Sequence, residues 1–71
     1  MDVFIFKTTI SQQGDVNVIS RFFISEPYIL DWNVDVEDID NILRTESENL
    51  SPETIEQLVK KAGFDCSHLK Y

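Results

Sequence analysis

Leu50 to Phe64, LSPETIEQLVKKAGF, meets every local requirement for starting, running and stopping a helix. Ser51 is placed to cap the first free amides, and Pro52 stands at the first helical position, where a missing N–H costs nothing. Leu50 can staple onto Ile55. Glu53 and Glu56 lie toward the positive end of the helix dipole, Lys60 and Lys61 toward the negative end. Gly63 supplies a left-handed stop, with Phe64 as the apolar partner that folds back on Val59. Between these ends Ile55, Leu58, Val59 and Ala62 recur at i, i+3, i+4 and i+7, which makes one apolar stripe. Such a stripe needs a sheet to cover it.

The strands are found upstream and just beyond. Ile29 to Glu37, ILDWNVDVE, alternates with period two: Leu30, Trp32, Val34 and Val36 fall on a buried face, and Asp31, Asn33, Asp35 and Glu37 on a wet one. An acidic turn, Glu37 to Asn41, leads into Ile42 to Ser47, ILRTES, which should pair antiparallel with it. Asp2 to Thr9, DVFIFKTT, is β-branched and aromatic, with Phe4, Phe6 and Thr8 on one side and Val3, Ile5 and Lys7 on the other. Apolar residues on both sides predict a central strand. From Asp15, read as an N-cap, to about Ser25, the residues Val16, Ile19, Phe22 and Phe23 keep a helical spacing. Phe22, Phe23 and Ile24 cannot all face inward on that helix, so one of them is expected to be exposed or near an edge. Glu26-Pro27 closes it, because the residue before a proline avoids helical geometry. Asp65 to Leu69 adds a last short strand. The order strand, helix, strand, strand, helix, strand, with right-handed crossovers, predicts one ferredoxin-like α+β domain over 1–71. Two helices then cover one face of a four-stranded antiparallel sheet.

With 71 residues, a domain buries only about 60% of its unfolded surface, so the five Phe and single Trp read first as core. A net charge of −7 repels phosphate backbones and argues against nucleic acid. No apolar run approaches a membrane span and no basic leader opens the chain, so the cytoplasm is the expected compartment. A single cysteine, Cys66, allows neither an internal disulfide nor a zinc site of several thiolates.

VDVE at Val34 to Glu37 is similar to the V-D-L-E often carried in the second strand of heavy-metal-associated (HMA) domains. LSPETIEQLVKKAGFD resembles the second helix of those domains and the A-G-Y/F that ends it. From Val34 onward the chain thus resembles the HMA-like family of copper chaperones and metal-pump modules, by element order over most of its length and by residue pattern over about half. The resemblance implies the ferredoxin-like fold. It does not carry over the metal chemistry. The family binds its ion through M-x-C-x-x-C between the first strand and first helix, and laying Ile10 on that Met puts Gln12 and Asp15 where the two thiolates belong.

The remaining chemistry is sparse. Cys66 and His68 are two apart on a strand and share a face, which offers at most two ligands of a metal site unless a second chain completes it; an ordinary buried thiol is the simpler reading. A nucleophilic Cys-His enzyme lacks an orienting third group, and no catalytic residue or cofactor is expected. The acidic cluster Asp35, Glu37, Asp38, Asp40 and Asn41 lacks the glycine and closing Glu of a calcium loop, and Gly14 stands outside any phosphate-binding run. Trp32 is assigned to the core by its phase. The outer face of the sheet is the remaining lead: Val3, Ile5 and Ile42, with Ile29 as a further candidate, sit beside Lys7, Arg44 and Glu46. An apolar patch rimmed by charge, with Val3, Ile5, Ile42 and Arg44 as its contact residues, suits a protein partner or a homodimer. The expected role is therefore a non-catalytic interaction or self-associating module. The alternatives are a metal carrier using Cys66 and His68, and a small-ligand sensor of the kind this architecture hosts at dimer interfaces.

Overall fold

A computed structural model of the chain describes residues 1–70. Helix α2, Pro52–Lys61, forms as the sequence predicts, with Ser51 in extended geometry and its Oγ accepting the Thr54 N–H at 3.3 Å. At the other end Gly63 turns to φ +101°, the Gly63 N–H donates to the Lys60 carbonyl (3.0 Å) and the Phe64 N–H to the Val59 carbonyl (3.3 Å). This pair of bonds is the Schellman closure, and it satisfies two of the carbonyls that a helix end leaves free. Leu50 and Phe64 both pack against the core, so the two ends of α2 are pinned to the sheet it covers.

The complete order is β1 (Asp2–Thr8), α1 (Gln13–Ile24), β2 (Ile29–Asp35), β3 (Ile42–Ser47), α2 and β4 (Cys66–Leu69). The sheet runs β2-β3-β1-β4, every neighbouring pair is antiparallel, and β1 is central as its two-sided apolar content predicts. This is the ferredoxin-like βαββαβ sandwich. Phe6 lies opposite Leu43 on the helix side of the sheet, and Ile19 and Phe23 of α1 and Ile55 and Val59 of α2 share one buried cluster with them. Ile10 and Cys66 complete a core of eight buried apolar residues among those described.

Three sequence-based expectations are corrected. Asp15 is not the N-cap: Gln12 holds that place without a side-chain bond, and Asp15, inside the first turn, reaches back with Oδ2 to accept the Ser11 N–H at 3.2 Å. Acidic side chains are favoured there for the same dipole reason, so the residue still serves the helix start. The strand from Ile29 ends at Asp35 rather than Glu37, because the Asp38 N–H donates to the Asp35 carbonyl and closes a turn. The alternation of that strand is also broken. Ile29 is opposite Ser47 while Asp31 is opposite Glu46, so Leu30 is an extra residue in a β-bulge. The bulge sends Ile29 to the core side with Trp32 and Val34 and leaves Leu30 53% exposed, the reverse of the phase predicted for both.

Two polar atoms stand out beneath the helices. Thr45 Oγ1 and Ser47 Oγ, on the core side of β3, are fully buried without a hydrogen-bond partner. An unpaired buried hydroxyl costs roughly 1–3 kcal/mol, so Thr45→Val, of nearly the same shape, should raise stability by about 1 kcal/mol. Gly63→Ala should do the opposite. No heavy atom lies within 4 Å of the added Cβ, so its cost is the left-handed backbone alone, about 1–2 kcal/mol. Urea midpoints of the two variants against wild type check both signs.

Candidate functional site

The loop between β1 and α1 is built around Ile10, which is wholly buried. Its N–H donates to Thr8 Oγ1 at 3.1 Å, and that hydroxyl donates in turn to the Asn41 carbonyl at 2.6 Å. Thr9 is tied to the segment before β4, donating its N–H to the Asp65 carbonyl (3.2 Å) and accepting the Asp65 N–H on Oγ1 (2.9 Å). Gln12 is exposed, and the Asp15 carboxylate is engaged with Ser11. The loop is thus anchored on both sides and presents an amide and a carboxylate. Neither is the soft thiolate donor that copper(I) requires, so the residues present do not fit that ion.

Cys66 and His68 lie on the core side of β4, opposite Thr8 and Phe6. They share a face, as their spacing implies, but they enter different surroundings. The Cys66 thiol is 2% exposed, and its pKa is pushed up from 9.0 to about 12 by burial, with Glu56 adding to the rise and Lys60 opposing it. A metal ligand or nucleophile needs the thiolate, and this site holds the protonated form. The half-buried His68 ring packs on Phe4 and Phe6, with centroids 5.4 Å from each. No group of three His, Cys, Asp or Glu residues able to hold a metal ion occurs among the described residues.

The acidic turn uses its carboxylates on its own backbone. Asp35 Oδ1 accepts the Glu37 N–H (3.1 Å), Asp38 Oδ1 accepts the Asp40 N–H (2.7 Å), and Asp40 pairs with Lys7 at 3.4 Å. Such bonds define a turn and leave no convergent set of oxygens.

On the outer face of the sheet, Ile5 stands between Arg44 on β3 and Leu69 on β4, with Val3 one step along the same side and 44% exposed. Val3, Ile5 and Arg44 are therefore brought together. Ile42 shares that face but lies farther along, opposite Asp35, and Ile29 is turned to the other side by the bulge. Leu69 joins the strip in their place. Strand alternation carries that signal, since Leu69 is out of phase with Cys66 and His68. Val3, Ile5, His68, Leu69 and Lys70 line a shallow cleft of about 360 Å³ at this edge. Arg44 is paired with Glu46 at 3.5 Å. No described helix is long and apolar enough to cross a membrane.

No protein-family model matches the chain, and no curated protein matches it in sequence. Solved structures do match in shape. A copper-binding domain from HMA7, a P-type ATPase, is 15% identical with a TM-score of 0.85, over 99% of this chain and 96% of that one. The N-terminal domain of PacS from Synechocystis is 14% identical with a TM-score of 0.80, over 99% and 100%. A chain of the Atx1–Cu(I)–Ccc2a complex is 16% identical with a TM-score of 0.81, over 96% and 94%. The chain therefore has the fold of HMA copper-binding domains, while its single cysteine rules out their thiolate pair.

The thiol gives this region a pH test. The unfolded Cys66 titrates near 9.0 and the folded one near 12, so between these values the unfolded chain loses its proton first. The stability carried by the buried neutral thiol is full below pH 9.0 and declines as pH rises toward 12. Chemical denaturation across that range should show wild type losing stability relative to Cys66→Ala, with the difference constant at neutral pH.

Proposed function

We propose that this chain is a non-catalytic interaction module that self-associates through the outer face of its sheet. The observation that carries this reading is the strip Val3, Ile5 and Leu69, left uncovered on the side of the sheet that neither helix reaches. Charge is distributed unevenly around it. Asp31, Asn33 and Asp35 of β2 border one side, while Lys7, Lys70 and the Arg44–Glu46 pair lie nearer the strip. A two-fold axis near Ile5 would set the acidic border of one copy against the basic side of the other and bury the apolar strips on each other. Among neighbours of this fold, a chain of the Atx1–Cu(I)–Ccc2a complex is one solved together with another protein, which supports interaction as a use of the scaffold.

The size of the face limits the strength. Four strands about 4.8 Å apart and roughly 20 Å long offer about 400 Å² per partner, at the weak end of specific interfaces. Association should accordingly appear only at high protein concentration. Sedimentation of wild type at about 0.1–1 mM should show a dimer that Ile5→Lys abolishes without lowering the melting temperature by more than a few degrees. A wild-type mass that stays monomeric throughout that range, or an Ile5→Lys mass equal to a wild-type dimer, would remove the proposal.

A further inference from the structure

The C-terminal end of α1 and the beginning of β2 enclose an open cleft of about 380 Å³, at the sheet edge remote from β4. Phe23 and Trp32 form its floor, edge to face with ring centroids 5.1 Å apart. Ile24, 85% exposed, and Leu30, 53% exposed, form its apolar lips. Tyr28, 52% exposed, stands in the turn between those two elements. Three of the large apolar side chains this small domain leaves in solvent are thus gathered at one edge. Leu30 is there because of the bulge; regular pairing would have turned it to the core. Bulges of this kind re-aim a side chain where a site needs it.

The polar rim points to the chemistry of the occupant. Glu26 and Asp31 line the cleft, no Lys or Arg does, and neither carboxylate takes part in an ion pair among the described residues. On a chain of net charge −7 this cleft repels acidic segments and a second copy of its own edge. It complements a cationic partner that brings its own apolar group. We propose that the cleft docks a segment of a protein partner in which one large apolar side chain is flanked by Arg or Lys. The apolar group enters between Ile24 and Leu30 onto Trp32, and the cation meets Glu26 and Asp31, where a guanidinium can also stack on the indole. This site shares Asp31 with the acidic border of the outer-face strip but none of the strip's apolar residues Val3, Ile5 and Leu69, so either can fail without the other.

A phage library of random dodecapeptides, panned on the wild-type chain and depleted on an Ile24→Glu/Leu30→Glu double variant, tests it. Both residues are exposed, and melting curves verify that the variants fold; Leu30→Ser serves as a milder second variant. Enriched peptides should carry Arg or Lys beside Leu, Ile, Phe or Trp. Because Trp32 is the only tryptophan of the chain, synthetic forms of those peptides that carry Leu, Ile or Phe rather than Trp should shift its emission on binding. Affinity should fall about tenfold or more for Leu30→Ser, and likewise when Glu replaces the peptide's basic residues. Binding should persist in Ile5→Lys, whatever that variant does to self-association. Failure to enrich any sequence over the double variant, enrichment of acidic or uncharged sequences, or loss of binding in Ile5→Lys but not in Leu30→Ser would overturn the proposal.

Discussion

One contact holds the two layers together: Phe6 and Leu43, neighbours on the inner side of β1 and β3, lie beneath Ile19 and Phe23 of one helix and Ile55 and Val59 of the other. In a domain this short the buried set is small, and each element except β2 contributes at least one fully buried member. β2 is held differently. Its inward residues Ile29, Trp32 and Val34 are only half-buried, so it depends on its ladder with β3 and on the edge-to-face packing of Trp32 against Phe23. The sheet is therefore best anchored at its centre and least covered at the β2 edge, which is where the exposed apolar side chains collect.

The same economy governs the loop before α1. Ile10 is drawn fully into the core, and the flanking Thr8 and Thr9 tie the chain to Asn41 and Asp65. A segment so held is a structural joint. Burial of Cys66 works in the same direction, since removing the thiol from water pushes its pKa up to about 12 and favours the protonated form. The scaffold presents two kinds of surface, the outer sheet face of mixed charge and a notch with an acidic rim.

How far this could be read from the sequence depended on how local the cause was. The ends of α2 are settled by Ser51, Pro52, Gly63 and Phe64 acting on their immediate neighbours, so they were legible. The central place of β1 followed from apolar residues on both its faces. Leu30 was not legible, because one extra residue in β2 is a matter of how that strand aligns with β3, and alternation alone cannot reveal it. Asp15 was misplaced by three positions because an acidic side chain can serve either at a cap or in the first turn, and only the backbone distinguishes the two. The outer strip was mostly visible from strand parity. The notch beside Trp32 was hidden, since it exists only once α1 and β2, separated by a proline turn, are folded against each other.

The bulge has a further effect on the company this protein keeps. An edge strand with an unbroken row of free amides and carbonyls is an invitation to pair with any other strand, and small sheet proteins at high concentration are exposed to that hazard. Here the extra residue interrupts the row near its start, and Asp31 and Asp35 line the rest with like charges that resist stacking into fibrils. Backbone geometry as well as charge thus works against strand pairing at this margin.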